Sequence, residues 1–264
     1  MELRMTFNED ANNYDRFRPD YPKALFDAVF DYAGLQAGSR VFEIGIGTGQ
    51  ATLPFLERGC AVTAAELGEE LCKLVSEKYS RCPDFTARQG DFLEIPVERG
   101  QYDLVYSATA FHWLDAEKAY PKMQSMLRPG GCVALFWNHP FVRREDDPTN
   151  AASSAVYEAL RPTNRTFREF GEEDCESRLA ELKRFGFTGV RSMLFRRTRT
   201  LTTEAYIGLL NTYSDHRALE PEKKRAFENA MRVALHGVGD KIHIYDTLDL
   251  YLGRWEPITM SCSR

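Results

Sequence analysis

The sequence predicts an α/β protein with a doubly wound, mostly parallel seven-stranded sheet and helical cap insertions after strands 5 and 6. Three observations support this prediction. Short apolar runs alternate with helical patterns between residues 40 and 137, which is typical of parallel sheets. Three glycines at every second position follow the first run. A helical stretch of about 40 residues separates the last two strands and is longer than most connections, so it indicates an inserted cap.

The elements follow from the hydrophobic period and from proline and glycine. Pro22 opens a first helix whose apolar residues share one face, and Gly34 closes it. The predicted strands are residues 41–44, 61–65, 85–89, 102–107, 132–137, 190–199 and 242–252. The predicted helices between them are residues 51–58, 69–81, 116–127, 151–160, 175–185 and 201–235, the last broken near a proline.

The chain is expected to form one domain over residues 1–264. Its core would comprise about 35–140, 180–199 and 239–264, and its lid or cap segments would comprise 1–34, 141–179 and 200–238. The two insertions, after the fifth and sixth strands, would cover the ligand site.

The composition weighs against several classes of protein. A formal net charge of -5 disfavours a nucleic-acid partner, which generally requires a basic surface. No apolar run reaches the roughly 18 residues of a membrane helix, and the first ten residues lack a secretory signal, so we expect a cytoplasmic protein. The six cysteines are scattered without a Cys-x-x-Cys pair, and neither a disulfide framework nor a metal site is expected. The oligomeric state is left open.

The glycine turn after the first strand points to a ligand. Gly45, Gly47 and Gly49 permit backbone angles closed to other residues and leave no side chain between the backbone and a bound molecule. A dinucleotide fingerprint would need its third glycine where Gln50 stands. The carboxylate of Glu43 would repel a phosphate. These features favour a cationic, phosphate-free nucleoside such as S-adenosylmethionine (SAM).

Two further acids stand at strand ends where such a ligand needs them. Glu66 ends the second strand about 20 residues beyond the glycine turn, where this architecture places the acid that binds a ribose diol. Asp91 and Phe92 directly follow the third strand. In doubly wound sheets ligands bind beyond the carboxyl ends of the strands, so we expect both acids to lie beside the glycine turn.

The pattern Glu-x-Gly-x-Gly-x-Gly at residues 43–49 resembles motif I of the class I SAM-dependent methyltransferases, whose sheet is Rossmann-like. The resemblance covers roughly residues 13–138. It implies SAM as the cofactor, with the Asp91 carboxylate at the exocyclic amine of adenine and the Phe92 ring over the purine face. The residues expected to bind the cofactor are Tyr14, Arg18, Glu43, Gly45, Gly47, Thr48, Gly49, Gln50, Glu66, Leu67, Asp91, Phe92, Ser107 and Ala108.

Two segments are similar to a small-molecule group of this family that includes trans-aconitate methyltransferase. They are the lead Tyr-x-x-x-Arg-Pro at residues 14–19 and the stretch A-T-A-F-H-W-L-D at residues 108–115. The resemblance implies that Tyr14 and Arg18 belong to a lid over SAM, with Arg18 near the methionine carboxylate. Packing of this segment on the first helix is the alternative.

The chemistry is expected after the fourth and fifth strands. His112 is the candidate catalytic residue, either as a general base or as a neutral ring packed beside Trp113. Trp113, Trp137 and Asn138 are expected to face the substrate, although Trp137 also suits the core. A carboxylate acceptor is already ionised at neutral pH and needs no base. The cap arginines suited to binding a carboxylic acid are Arg143, Arg144 and Arg217.

We therefore expect a SAM-dependent methyltransferase that acts on a small-molecule acceptor, with oxygen favoured as the accepting atom. A methyltransferase acting on protein or tRNA and a non-catalytic SAM-binding or nucleoside-binding protein remain as alternatives. An NAD-dependent dehydrogenase would require that the mismatch at Gln50 be tolerated.

Overall fold

A computed structural model of the chain describes residues 15–257. Its seven strands form one sheet in the order β3-β2-β1-β4-β5-β7-β6, which confirms the predicted fold class. The strands are β1 Arg40–Ile44, β2 Ala61–Glu66, β3 Phe85–Gln89, β4 Tyr102–Ala108, β5 Leu127–Phe141, β6 Thr188–Thr202 and β7 Lys241–Arg254.

Helices connect most of the strands. They are α1 Lys23–Ala33, α2 Leu53–Glu57, α3 Glu69–Lys78, α4 Ala116–Met126, α5 Pro148–Leu160, α6 Glu176–Arg184, α7 Thr203–Leu210, α8 Ser214–Arg217 and α9 Pro221–His236, with short 3-10 turns at Phe111–Trp113 and Glu172–Cys175. Pro22 precedes α1 as predicted, and Gly34 ends it with a left-handed backbone (φ 64°), a conformation that glycine adopts without steric cost. None of the helices in this described part combines the length and apolarity that a bilayer crossing requires.

Parallel pairing at the centre of the sheet places the functional strand ends together. Strand β1 lies between β2 and β4, with Ile44 opposite Ala65 and Glu43 opposite Tyr106. Strand β3 pairs parallel with β2, and β5 pairs parallel with β4. The chain segments that follow β1, β2 and β4 therefore all leave the sheet at one edge, where ligands bind in this architecture.

The described chain divides into two compact units. We call the first the sheet unit, made of residues 20–137, 172–194 and 249–257, and the second the cap unit, made of residues 15–19, 138–171 and 195–248. The predicted organisation as one domain with core and cap segments stays a prediction.

Each unit has its own buried core. In the sheet unit, aromatic rings stack under the first strands, with the Phe55 and Tyr106 centroids 4.4 Å apart. In the cap unit, helices α5, α7 and α9 pack on β7 through a cluster that comprises Val156, Tyr206, Leu209, Leu210, Phe227, Met231, Leu235, Ile242 and Ile244. Removing such a core side chain typically costs about 2 to 5 kcal/mol.

Several boundaries differ from the sequence expectations, and two of these differences have a clear cause in the hydrogen bonds. Strand β5 was expected at residues 132–137 after a Pro-Gly-Gly break, yet it runs from Leu127 to Phe141. The first part is held because the Gly130 N–H donates to the Trp255 carbonyl and the Trp255 N–H donates to the Gly131 carbonyl. The helix after the glycine turn starts at Leu53, two residues later than predicted, because turn hydrogen bonds such as Thr52 N–H to the Gly49 carbonyl extend the turn.

Candidate functional site

The glycine turn has one open face. All three of its glycines have positive φ, at 70° for Gly45, 58° for Gly47 and 83° for Gly49. A Cβ added at Gly45 would lie 2.6 Å from the Ala110 Cβ, and one added at Gly49 would lie 2.8 Å from the Tyr79 ring, so these two are required by packing. Among residues 15–257, a Cβ at Gly47 would meet nothing within 4 Å. Gly47 therefore leaves open space above the turn, and a side chain there would fill it.

The carboxylate of Glu66 is fixed against this turn. It accepts hydrogen bonds from the Gly47 N–H at 2.8 Å through Oε2 and from the Gly68 N–H at 2.9 Å through Oε1. The side chain is buried, and this burial raises the pKa of Glu66 against the lowering effect of the backbone donors. Because a carboxylate offers about four acceptor positions, about two remain for the hydroxyl groups of a ligand.

Glu43 lies beneath the turn and is buried. Its Oε2 accepts hydrogen bonds from the Thr52 hydroxyl at 2.6 Å and from the Tyr106 hydroxyl at 2.8 Å. Burial raises the pKa of Glu43 to about 7, opposed by these two hydrogen bonds and reinforced by the charge of Glu66. Burial favours the neutral forms of both acids, and the negative charge that they keep favours a bound cation over an anion.

The third strand end presents Asp91 and Phe92 differently from each other. Asp91 is half-buried, and its Oδ1 accepts from the Leu93 N–H at 2.9 Å. Phe92 is 4 % exposed, and its ring packs against Phe42 with centroids 6.0 Å apart. This burial limits the ring surface that Phe92 could offer to a purine. Half-buried Leu67, at the end of the neighbouring strand, presents more apolar surface.

Other predicted cofactor residues hold the framework. The buried Thr48 hydroxyl contacts the Gln50 amide, and the Thr48 carbonyl accepts from Lys78 Nζ at 2.9 Å. The Ser107 hydroxyl is buried and donates to the Ile44 carbonyl at 3.0 Å, which joins β4 to β1. Ala108 ends β4 and is half-buried. The side chains of Thr48 and Ser107 therefore shape the turn through contacts within the protein.

Directly after β4 the backbone is strained. Thr109 has φ 55°, a left-handed conformation that is unusual for a β-branched residue and costs about 1 to 3 kcal/mol. Its hydroxyl lies 2.7 Å from the Tyr21 hydroxyl, and its N–H donates to the Phe136 carbonyl at 2.8 Å. Sequence reasoning did not single out Tyr21, because nothing local connects it with a residue 88 positions away.

His112 sits in the 3-10 turn that follows, and its partner is Trp137. The Trp137 indole N–H donates to His112 Nδ1 at 3.0 Å. The His112 ring also contacts Trp113, with centroids 4.8 Å apart, and Trp113 is 39 % exposed. Partial burial lowers the pKa of His112, and the nearby charge of Arg178 lowers it further.

Trp137 is held from three sides. Its backbone N–H donates to Asp249 Oδ1 at 2.9 Å, its ring meets Tyr251 with centroids 5.9 Å apart, and the guanidinium carbon of Arg178 lies 5.0 Å from its ring centroid. Arg178 in turn pairs with Glu181. Trp137 is 9 % exposed, as the core expectation requires, and its indole N–H contacts His112. A role for Trp137 at the substrate stays a prediction.

Two further predicted residues, Asn138 and Arg18, belong to the cap unit. Asn138 donates to Asp246 Oδ1 at 3.1 Å. Arg18 donates to the Thr212 carbonyl at 3.0 Å and lies over the Tyr213 ring, and Tyr14 lies outside the described residues. Their roles at the cofactor and substrate stay predictions.

The cap arginines have different partners. Arg144 makes two hydrogen bonds to Glu169, at 2.6 and 3.0 Å, so its guanidinium is already paired with a carboxylate of the protein. Arg143 lies over the Phe167 ring at 4.0 Å. A role for Arg143 or Arg217 with an acidic acceptor stays a prediction. Across residues 15–257, no group of three or more histidine, cysteine or acidic side chains is placed to hold a metal ion.

Comparison with known proteins identifies the domain. Residues 42–135 match the model of a methyltransferase domain. An uncharacterized methyltransferase from Schizosaccharomyces pombe is 28 % identical over 221 residues, which cover 83 % of this chain and 82 % of that protein. An uncharacterized methyltransferase from Mycobacterium bovis is 33 % identical over 137 residues, or 52 % of this chain and 54 % of that protein. The chain thus spans about half the length of this second relative.

A solved structure supports the fold. A protein from Anaeromyxobacter dehalogenans, described as a type II methyltransferase, superposes with a TM-score of 0.68 at 22 % identity, over 91 % of this chain and 99 % of that one. This likeness concerns the fold alone. The domain match, which includes the glycine turn, and the relative that is similar over most of the chain support a SAM-dependent methyltransferase with SAM as its cofactor.

Proposed function

We propose that this SAM-dependent methyltransferase transfers the methyl group to a small-molecule acceptor, with oxygen as the accepting atom. The observation that carries the cofactor part of this proposal is the open face of Gly47 beside the fixed carboxylate of Glu66, whereas the acceptor part rests on the acidic net charge and on the resemblance of residues 14–19 and 108–115. In the part of the chain that the structure describes, nothing lies within 4 Å of a Cβ placed at Gly47, and the Glu66 carboxylate accepts from the Gly47 N–H. A flat nucleoside fits against such bare backbone, and its hydroxyl groups fit the free acceptor positions of Glu66.

The chain's own residues fit the cofactor in charge as well as shape. Glu66 would hold the ribose diol, Asp91 the exocyclic amine of adenine, and half-buried Leu67 the purine face. Because its pKa is about 7, Glu43 would carry only part of a negative charge at neutral pH, and this charge would add to that of Glu66 in disfavouring phosphate-bearing nucleotides. Bound SAM supplies an activated methyl group on a sulfonium centre.

The protein's contribution to the reaction would be mainly alignment. Holding the two reactants in line can account for about 7 to 11 kcal/mol of the barrier. The framework described above is suited to this purpose, because Thr48, Ser107 and the packed glycines fix the turn, and Trp137 fixes His112. A general base would be needed only for an acceptor that arrives protonated.

The acidic balance of the chain favours a small acceptor over nucleic acid. Its formal net charge is -5, and a nucleic-acid substrate generally requires a basic surface that releases counterions. The resemblance of residues 14–19 and 108–115 to the trans-aconitate methyltransferase group favours a carboxylic acid. Such an acceptor is ionised at neutral pH, since its reference pKa lies near about 4.

Two measurements test the proposal. Calorimetry should show binding of SAM by the full chain. Release of S-adenosylhomocysteine should then be followed with trans-aconitate and simple carboxylic acids, with alcohols and amines of matched size, and with total tRNA and unfolded protein at low and high salt. We expect turnover with one or more carboxylic acids. Turnover confined to tRNA or protein would contradict the small-molecule assignment, and turnover confined to amines would contradict oxygen as the accepting atom.

A further inference from the structure

The hydrogen bond between Trp137 and His112 determines where the histidine carries its proton. An indole N–H can only donate, so the atom that receives it, His112 Nδ1, must offer a lone pair. In a neutral imidazole exactly one nitrogen is protonated, and here that nitrogen is Nε2. Within residues 15–257, Nε2 of His112 has no hydrogen-bond partner. The ring therefore presents an N–H group to whatever binds beside it.

The same geometry opposes the charged form of the ring. Protonation of His112 would place a second N–H on Nδ1, facing the indole N–H of Trp137, so two donors would meet and the hydrogen bond would be lost. The guanidinium of Arg178, stacked on the Trp137 ring, adds a positive charge to this neighbourhood. Both effects hold His112 in the neutral form.

Trp137 cannot turn away to release this arrangement without breaking several contacts. Its ring meets the Tyr251 ring, and Arg178 lies over it while pairing with Glu181 and approaching the Tyr120 hydroxyl at 3.5 Å. Trp137 and Arg178 lie 41 positions apart in the sequence and converge only in the fold. They are positioning residues that act through His112.

We infer that His112 meets the methyl acceptor as a hydrogen-bond donor through Nε2–H, and that the acceptor is an oxygen that arrives already deprotonated, of the carboxylate class. This inference rests on the proposed function. A general base needs a lone pair toward the substrate, and Nε2 has none in this tautomer. Nδ1 keeps its lone pair but directs it at Trp137.

The bonding changes need no proton acceptor. The anionic acceptor oxygen forms the new C–O bond with the methyl carbon while the C–S bond breaks and its electron pair stays on sulfur. The positive charge on sulfur and the negative charge on the acceptor disappear together, and no proton moves. A donor such as the His112 N–H would hold the acceptor carboxylate through its second oxygen or its remaining lone pairs.

The tautomer can be measured without any turnover. Protein labelled with ¹⁵N-histidine and loaded with S-adenosylhomocysteine would be followed by long-range ¹H–¹⁵N NMR between about pH 5 and about pH 9, a range that spans ordinary histidine titration. Loss of one signal set in His112→Gln assigns the ring. We expect Nδ1 of His112 to be unprotonated and Nε2 protonated at neutral pH. An unprotonated Nε2 would overturn the inference.

Two variants separate the positioning residues. Trp137→Phe keeps an aromatic ring but removes the indole N–H that opposes a proton on Nδ1, so His112 should show both tautomers. Arg178→Gln should raise the pKa of His112 while Nδ1 stays unprotonated. Trp113→Phe is the matched control, because it changes the neighbouring ring and leaves the Trp137 hydrogen bond in place. Unchanged His112 spectra in both Trp137→Phe and Arg178→Gln would contradict the positioning roles.

A second experiment measures turnover with the carboxylic acid that is methylated fastest among the acceptors named above. Loss of one hydrogen bond to a charged acceptor should lower turnover about 10- to 100-fold in His112→Ala, and His112→Gln should recover most of that loss because its amide also donates. In the wild type, turnover should not fall as the pH drops through the His112 pKa. A fall there, with no rescue by glutamine, would establish a base and defeat the inference. Failure to bind SAM would instead defeat the proposed function and leave the tautomer result standing.

Discussion

The carboxylate of Glu66 offers a quantitative test of the cofactor site. It joins two parts of the turn, since one oxygen accepts from Gly47 N–H at 2.8 Å and the other from Gly68 N–H at 2.9 Å. Under our proposal the same oxygens accept from both ribose hydroxyls. Glu66→Ala therefore removes up to four hydrogen bonds at once, two that organise the turn and two that bind the ligand.

The expected size of the effect follows from those bonds. A hydrogen bond to a charged group contributes about 1.5 to 3 kcal/mol, and each 1.4 kcal/mol corresponds to about a tenfold change in affinity. Loss of a single ribose contact already predicts about a tenfold rise in the SAM dissociation constant, and loss of both predicts about 100-fold or more. The freed N–H groups of Gly47 and Gly68 should also lower the free energy of unfolding by about 1 to 3 kcal/mol.

Calorimetry with SAM and denaturant unfolding measure these two quantities on the same protein. Glu66→Gln should be measured beside Glu66→Ala. Its amide accepts only through one oxygen, so one of the two backbone N–H groups would face an NH₂ group. Glu77→Ala, an exposed acid on helix α3, is the control and should match the wild type in both measurements. A Glu66→Ala protein that binds SAM within about twofold of the wild type would refute the assignment of Glu66 to the ribose.

The remaining predictions concern pH. Burial raises the pKa of Glu43 from 4.5 to about 7. Its contribution to the free energy of unfolding is therefore fully present below about pH 4.5 and is lost as the pH rises through about 7. Glu43→Gln should remove this pH dependence, worth at most about 3 kcal/mol, from unfolding curves taken between about pH 5 and about pH 8. In the cap unit, Asp147 gives the opposite pH dependence of stability. Burial works against the charge of Asp147, but hydrogen bonds from Tyr245, Thr149 and His243 outweigh it and hold the pKa of Asp147 well below 3.8, so its stabilisation is present above that value and is lost as the pH falls. Asp147→Asn should lower the free energy of unfolding by about 2 to 4 kcal/mol at neutral pH and flatten the acid limb of the stability curve; an unchanged acid limb would contradict this account.

The sequence could predict the features that depend on local pattern. Strand β3 matches its prediction at Phe85–Gln89, and the glycine turn follows β1 as expected, because apolar runs and glycine spacing act over a few residues. The position of Glu66 beside the turn was also predictable, since parallel strands end at a common edge and the acid ends the second of them.

The features that escaped prediction depend on partners distant in sequence. Glu43 is separated from its buried partner Tyr106 by 63 positions, so sequence alone could not show that its carboxylate lies under the turn among hydroxyl groups. The partner of His112 lies 25 positions away on the next strand, and Arg178 comes from a later helix. Without these contacts the histidine could be read either as a base or as a packed ring.

Strand boundaries were misjudged where a residue's usual preference was overridden by pairing. Pro129-Gly130-Gly131 is typical of a loop, yet these residues open β5 because Gly130 and Gly131 exchange backbone hydrogen bonds with Trp255. Trp255 is more than 120 positions away in the sequence, so the residues around Gly130 give no sign of this pairing.

The most direct test of the central claim compares two glycines that share a backbone conformation but differ in surroundings. Gly47 and Gly34 have φ of 58° and 64°, so replacement by alanine costs both sites about 1 to 2 kcal/mol of backbone strain. A Cβ at either would meet no atom of the described residues within 4 Å. Only Gly47 lies in the proposed cofactor cradle. Calorimetry should show that Gly47→Ala raises the SAM dissociation constant at least about tenfold while Gly34→Ala keeps the wild-type value. Equal SAM affinity in the two variants would contradict a cofactor lying on the open face of the glycine turn.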